Sequence, residues 1–249
     1  MLTSLDKAKT WLGVTTSTDD AMLTRLIGQV SQWILSYLNR PYILKRQYTE
    51  TFMGSGRART LKNYPVLSVS SVSVSGGAIP ANINAGYWFE TDDLPPGRPT
   101  TIRLNGYGFS GPCTITYTAG YFLEEAHTSG PSVTVDAPYG SWAEDGGVTA
   151  DGTPLTKVAS SPSAGEYSVS NGVYEFGDSG TDVMISYSYV PAALEEACLE
   201  LVGERYRYKD RIGHASKSIG GQETISYNLK NMPDYVHDAL QPFKRVVPI

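Results

Sequence analysis

The hydrophobic pattern is helical at both ends of the chain and strand-like between them. At 191–213, PAALEEACLELVGERYRYKDRIG, residues Leu194, Ala197, Cys198, Leu201 and Val202, continued by Arg205 or Tyr206, follow the i, i+3, i+4, i+7 spacing of a buried helical stripe. Pro191 suits the first turn and Gly213 the stop. Glu195, Glu196, Glu200 and Glu204 precede Arg205, Arg207, Lys209 and Arg211, so charge complements the helix dipole at both ends. Leu199, Gly203 and Tyr206 form a second face, either ordinary surface or a subunit contact that Gly203 would let come close. Two helices open the chain. One is capped by Thr3 or Ser4 and runs through Leu12 to Gly13, with Leu5, Ala8 and Leu12 inward. The other is capped by Thr18, carries the stripe Leu23, Leu26, Ile27, Val30, Ile34 and Leu38, and ends at Asn39-Arg40-Pro41.

From Tyr42 the period becomes two. Ile43–Met53 reads as a strand, and Gly54-Ser55-Gly56 as a hairpin turn before a strand at Thr60 and Leu61. Asn63–Gly76, NYPVLSVSSVSVSG, sets Val66, Val69, Val72 and Val74 among serines, and its spacing slips at Ser70-Ser71, which predicts a bulge. Strands follow near Tyr87–Glu90, Thr101–Leu104 and Cys113–Tyr117. Residues 122–189 are rich in Gly, Ser and Asp and carry short strands at Ser132–Asp136, Thr156–Ala159, Tyr167–Ser170, Gly172–Phe176 and Val183–Tyr189, with Asn171-Gly172 as a two-residue hairpin signal. They read as a small β-sandwich inserted in a host domain. Past the long helix, His214–Asn228 is a polar loop or arm. Pro233 opens a short helix with Tyr235, Val236 and Leu240 inward, and Phe243–Ile249 is an apolar, basic tail that docks on a partner or folds back.

The expected class is therefore α+β: a helical core of two N-terminal helices and one long C-terminal helix, with β-hairpins or a small sheet and an inserted β-sandwich-like domain. Residues 1–121 plus 190–249 form the discontinuous core and 122–189 the insertion. The chain's 249 residues include 25 glycines and 17 tyrosines, in keeping with many strands and turns. A net charge of −5 argues against a dedicated nucleic-acid binder. Cys113 and Cys198 sit in apolar patterns and read as buried free thiols. Without an apolar signal core or a run of roughly 18 apolar residues, a soluble protein made in a reducing cytoplasm is expected, with no membrane partner.

Gly177-Asp178-Ser179-Gly180 resembles the nucleophile string of chymotrypsin-like proteases, with His127 and Asp145 or Asp151 upstream. The chain continues with Thr181-Asp182, however, and too few residues lie between His127 and Ser179 for a double barrel. A tight turn explains the string better. His127, His214 and His237 are isolated, so no metal or cofactor is expected. GSGRAR lacks the Lys-Ser/Thr of a phosphate loop and reads as a hairpin tip. Tyr139, Trp142, Tyr167 and Tyr174 are either a carbohydrate platform or strand core.

Taken in order, LTSLDKAKTWLGV, DDAMLTRLIGQVSQWILSYLNRPYI, NYPVLSVSSVSV, ITYTAGY and VPAALEEACLELVGERYRYKDRIG resemble the bacteriophage head–tail connector (adaptor) proteins. The resemblance covers roughly 1–121 and 190–249. It implies a non-enzymatic virion protein in a ring of roughly a dozen copies beneath the portal, extending the DNA channel toward the next connector, stopper or tail protein. Genomic DNA would pass without sequence-specific binding. The family's C-terminal segment commonly reaches the portal, which here points to Phe243, Lys244, Arg245, Val246 and Val247. Leu199, Gly203, Arg207 and Arg211 are the expected inter-subunit residues. The alternative is a virion-associated binding module whose inserted β-domain recognises a host glycan or another virion protein.

Overall fold

The computed structural model describes residues 1–91, 95–208, 216–219, 223–226 and 232–245. Two compact units emerge: Met1–Pro41 with Ala192–Lys244, and a β unit over Tyr42–Pro191 that also takes in Arg245–Ile249.

In the first unit, α1 spans Leu5–Leu12. The Ser4 hydroxyl accepts the Lys7 N–H at its start, and left-handed Gly13 closes it. Helix α2, Asp20–Tyr37, begins at Asp19 without a side-chain cap, one residue beyond the expected Thr18. It ends as Asn39 turns left-handed and the Arg40 N–H returns to the Leu35 carbonyl. Helix α3 is Ala192–Tyr208 and α4 is Asp234–Leu240, running into a 3₁₀ turn at Gln241–Phe243. Leu23, Ile27, Val30 and Ile34 of α2 and Leu194, Cys198, Leu201 and Val202 of α3 are buried where these helices pack. Each such aliphatic side chain contributes about 1.5–3 kcal/mol relative to exposure.

The β unit opens with β1 (Arg46–Gly54), β2 (Ala58–Thr60), β3 (Val66–Val74), β4 (Gly77–Ile79), β5 (Gly86–Trp88), β6 (Thr101–Asn105) and β7 (Gly111–Ala119). They form the sheets β1-β7-β3-β4 and β2-β6-β5, which share a core of Leu61, Val72, Ile102, Leu104, Cys113, Ile115 and Tyr117. Gly54-Ser55-Gly56 is not a hairpin tip. Strand β1 pairs with β7 and β2 with β6, so the glycines carry the chain from one sheet to the other. In β3 the register against β7 slips twice, between Val66 and Ser68 and between Val69 and Ser71, where one slip was expected. The bulges absorb Leu67 and Ser70, and so keep the valines inside and the serines outside although the sequence does not alternate.

The second half holds β8 (Phe122–Thr128), β9 (Val133–Thr134), β10 (Gly140–Ala150), β11 (Thr153–Pro154), β12 (Thr156–Lys157), β13 (Glu166–Ser170), β14 (Val173–Phe176) and β15 (Asp182–Pro191). Their sheets are β11-β10-β15-β8 and β12-β13-β14-β9. Asn171 and Gly172, both at positive φ, make the expected two-residue turn between β13 and β14. Strands β16 (Ser216–Ile219) and β17 (Glu223–Ser226) pair with each other.

The expected α+β class with a helical core is thus overturned. Among the described residues 40% are strand and 24% helical, and the helices are confined to one unit. Strands β8 and β10 account for much of the difference. Charges and glycines in FLEEAHT and GSWAEDGGVTA hide any alternation, and their fit comes from pairing on both sides of β15.

Two polar knots hold the second half. Asp145, whose side chain is 7% exposed, accepts from Tyr167 (2.9 Å), Tyr174 (3.0 Å) and the Gly147 N–H (3.2 Å), and pairs with Lys157 at 2.9 Å. Burial alone would raise its pKa, but these donors outweigh it and hold the carboxyl below the usual range. Glu125 behaves alike: burial is outweighed by Tyr187, His127 and the N–H groups of Asp136 and Ala137. Burial first, then the carboxylates, push Tyr167 and Tyr187 upward.

Two expectations follow. Gly120 lies at φ 135 with the Leu44 carbonyl oxygen 2.3 Å from where a Cβ would stand, so Gly120→Ala forces backbone apart. It is expected to cost about 3 kcal/mol or more, measured as a denaturant midpoint shift at constant slope. The depressed carboxyls add stability that is full above about pH 4–5 and is lost as pH falls through their folded pKa values; the raised tyrosines add stability that is lost above about pH 10. Asp145→Asn should therefore cost about 3 kcal/mol at pH 7 and flatten the acid limb, as read by amide exchange in β10 and β13 from pH 3 to 8.

Candidate functional site

The long helix positions most of the residues expected to act. Its start is tied down by Glu195, which pairs with Lys7 at 2.9 Å and accepts from the Thr3 hydroxyl at 3.2 Å. Its end is held by the Tyr206 hydroxyl, which donates to Asp19 at 2.5 Å. Between these ties, Cys198 lies 3.7 Å from the Ser31 hydroxyl, and burial pushes its thiol up to about 11. Both cysteines are free and buried. An inert thiol suits packing rather than chemistry.

Leu199 is half-buried and helps line an open groove with Asp6, Lys7, Thr10 and Trp11. Trp11, 45% exposed, is a member that the sequence pattern did not single out. Its position outside the Leu5, Ala8, Leu12 stripe of α1 was the available signal. Gly203 is buried, and a Cβ there would lie 3.6 Å from Leu12 and Trp11, so its close neighbour is α1 of its own chain. Arg207 is exposed, whereas Arg211 lies outside the described residues.

The C-terminal candidates divide sharply. Phe243 is buried in the helical unit, and its carbonyl accepts from the buried Arg40 guanidinium at 3.3 Å. It folds back on its own domain and is not part of a free tail. Lys244 is half-buried with its ammonium 4.3 Å from the Tyr37 ring centre, Arg245 is half-buried, and Val246 and Val247 lie outside the described residues. Around this root, Gln241 donates to the Tyr37 hydroxyl at 3.2 Å. The Tyr235 hydroxyl donates to Glu200 at 3.1 Å; its pKa is raised by burial and then by that carboxylate.

The residues of the protease-like string are employed elsewhere. His127 bonds Glu125, Asp145 holds the tyrosines, and Ser179 is exposed in the turn between β14 and β15. No group of three or more His, Cys, Asp or Glu among the described residues is arranged to hold a metal; His214 lies outside them. Tyr167 and Tyr174 are buried core, and Trp142 donates to the Tyr174 hydroxyl at 3.2 Å, so no exposed aromatic platform is built from this set. Among the described residues no helix is long and apolar enough to cross a membrane.

A solved chain from the neck of an empty GTA particle, computed with C6 symmetry, is similar with 14% identity and a TM-score of 0.42 over 99% of this chain and 91% of that one. No curated protein matches in sequence. The family model for the head completion protein matches residues 1–129, more than half of the chain. The chain belongs to the head completion protein family, and is a structural protein of the phage head–tail junction.

Proposed function

We propose that the chain assembles into a ring of roughly a dozen copies beneath the portal, joins head to tail and continues the DNA channel. The observation that carries this reading is the root of the C-terminal segment. Arg40 and the buried Phe243 anchor the chain in the helical unit immediately before Lys244. A basic and apolar segment that follows a fixed anchor loses less entropy on docking than a free one, and in this reading Phe243, Lys244, Arg245, Val246 and Val247 meet the portal. Leu199 and Arg207 on α3 are placed at the contact between copies, with Arg211 beside them in sequence; the next connector, stopper or tail protein binds the ring below. A net charge of −5 is compatible with a neutral or acidic lumen, along which a duplex slides more readily than along a basic one.

Within this reading, residues 1–121 with 190–249 act as the connector core and 122–189 as an inserted β-module. The family match ends at residue 129, close behind the start of β8, which supports an insertion there. Such a module offers a surface to another virion protein.

Electron microscopy of the chain mixed with its cognate portal tests the proposal. The full chain is expected to add a collar, and a chain truncated after Phe243 to lose it. A folded full chain that adds no collar overturns the adaptor role, and a collar that survives truncation moves the docking contact elsewhere. Separately, Arg207→Glu with Arg211→Glu should abolish rings while leaving the thermal midpoint within a few degrees, since a substitution at an exposed position such as Arg207 changes stability by about 0.5 kcal/mol. Intact rings from that variant would remove these arginines from the contact.

A further inference from the structure

Edge strands expose unpaired backbone groups, and folded proteins blunt them by shortness, charge, proline or bulges. Most edges here are short: β2, β4 and β5 have three residues, β9, β11 and β12 have two, and β16 and β17 have four. The seven-residue edge β8 carries Glu124, Glu125 and His127. Strand β1 differs from all of these. It is nine residues long, pairs with β7 across nine consecutive positions without a register slip, and contains no proline. From Gln47 to Gly54 its one charged residue, Glu50, is buried on the inner face, where Tyr117 donates to it.

The outer face is equally bare of charge. Gln47, Thr49 and Thr51 stand in rows with Thr118, Thr116 and Thr114 of β7 and with Ser68, Ser71 and Ser73 of β3. Met53, beyond them, is 76% exposed. A long edge without a bulge, free of exposed charge from Gln47 to Gly54, is a template for another strand.

We propose that this edge is a further contact between copies, beside the one at Leu199 and Arg207, and that the β16–β17 hairpin of a second copy extends the sheet there. That hairpin joins no other strand among the described residues, and an isolated two-stranded hairpin is marginal in water. Strand addition would join the hairpin and β1, neighbours to no other strand on these sides among the described residues, through backbone hydrogen bonds. Each copy then gives a hairpin and receives one. A head-to-tail contact of this kind closes into a cyclic ring, whereas a contact between identical patches makes only a dimer. The inference rests on the ring reading and names a further contact in it.

The test is amide hydrogen exchange on the full chain, free and in portal-bound rings. Residues 47–53 and both hairpin strands are expected to slow together by roughly 100-fold on assembly. Thr49→Lys with Thr51→Lys, both exposed positions, should cut ring yield by roughly tenfold or more while exchange elsewhere in the free chain is unchanged. Rings in which β1 exchanges as in the free chain overturn the proposal and leave the ring reading standing. Protection of β1 without the hairpin overturns the stated occupant in favour of another virion strand. Unmodified chain that forms no rings overturns the ring reading itself.

Discussion

The β unit depends on a close crossing of backbones at Ala119-Gly120-Tyr121. The Gly120 N–H donates to Pro65, the Tyr121 N–H to Ile43, and the Tyr189 N–H to the Tyr121 carbonyl. The Tyr121 side chain is fully buried, and its hydroxyl donates to the Pro96 carbonyl at 2.6 Å. Four distant stretches therefore meet at three residues. The crossing also connects β7 to β8, handing the chain from the first pair of sheets to the second. Only glycine permits it, because a side chain would occupy the space of the Leu44 carbonyl. Ala119 and Tyr121 share this pinned backbone, which explains why ITYTAGY is a recognisable string: its spacing is set by a steric constraint on the chain path.

What the sequence made legible follows from the range of the physics involved. Helices α1 and α2 are specified by residues three and four apart and by local caps, so Ser4, Gly13 and Asn39 announced their ends within a residue or two. The Asn171-Gly172 turn is equally local. Strand β10 is not, because its glycines and acids are accommodated by register shifts against β15 and by Asp145 reaching β13 and β14. The misassigned turn at Gly54–Gly56 has the same origin: a hairpin and a crossover between sheets demand similar residues, and only the distant partners β7 and β6 separate them.

The candidate site divides along that line. Phe243 belongs to an apolar, basic terminal run, and nothing local shows that Arg40, some 200 residues earlier, reaches its carbonyl. Gly203 looked like an opening for a neighbour because its own neighbour, α1, is remote in sequence. Trp11 went unremarked because an aromatic off a helical stripe is ordinary until the groove beside Leu199 is seen. The family order, by contrast, was readable early, since it is carried by the sequence of elements and not by any one contact.

If the chain forms the proposed ring, its surface meets opposing demands, dispersal of free copies and close association of assembled ones. The net charge of −5 keeps free copies apart at long range, an effect that salt screens within about 10 Å. A strand edge acts only at contact, through backbone groups that carry no net charge. The two terms operate at different distances, so the acidic balance does not forbid pairing in the proposed ring. Selectivity then comes from geometry. The β8 edge carries its acids and the remaining edges are short, which leaves β1 as the long edge among the described residues that from Gln47 to Gly54 shows no exposed charged side chain.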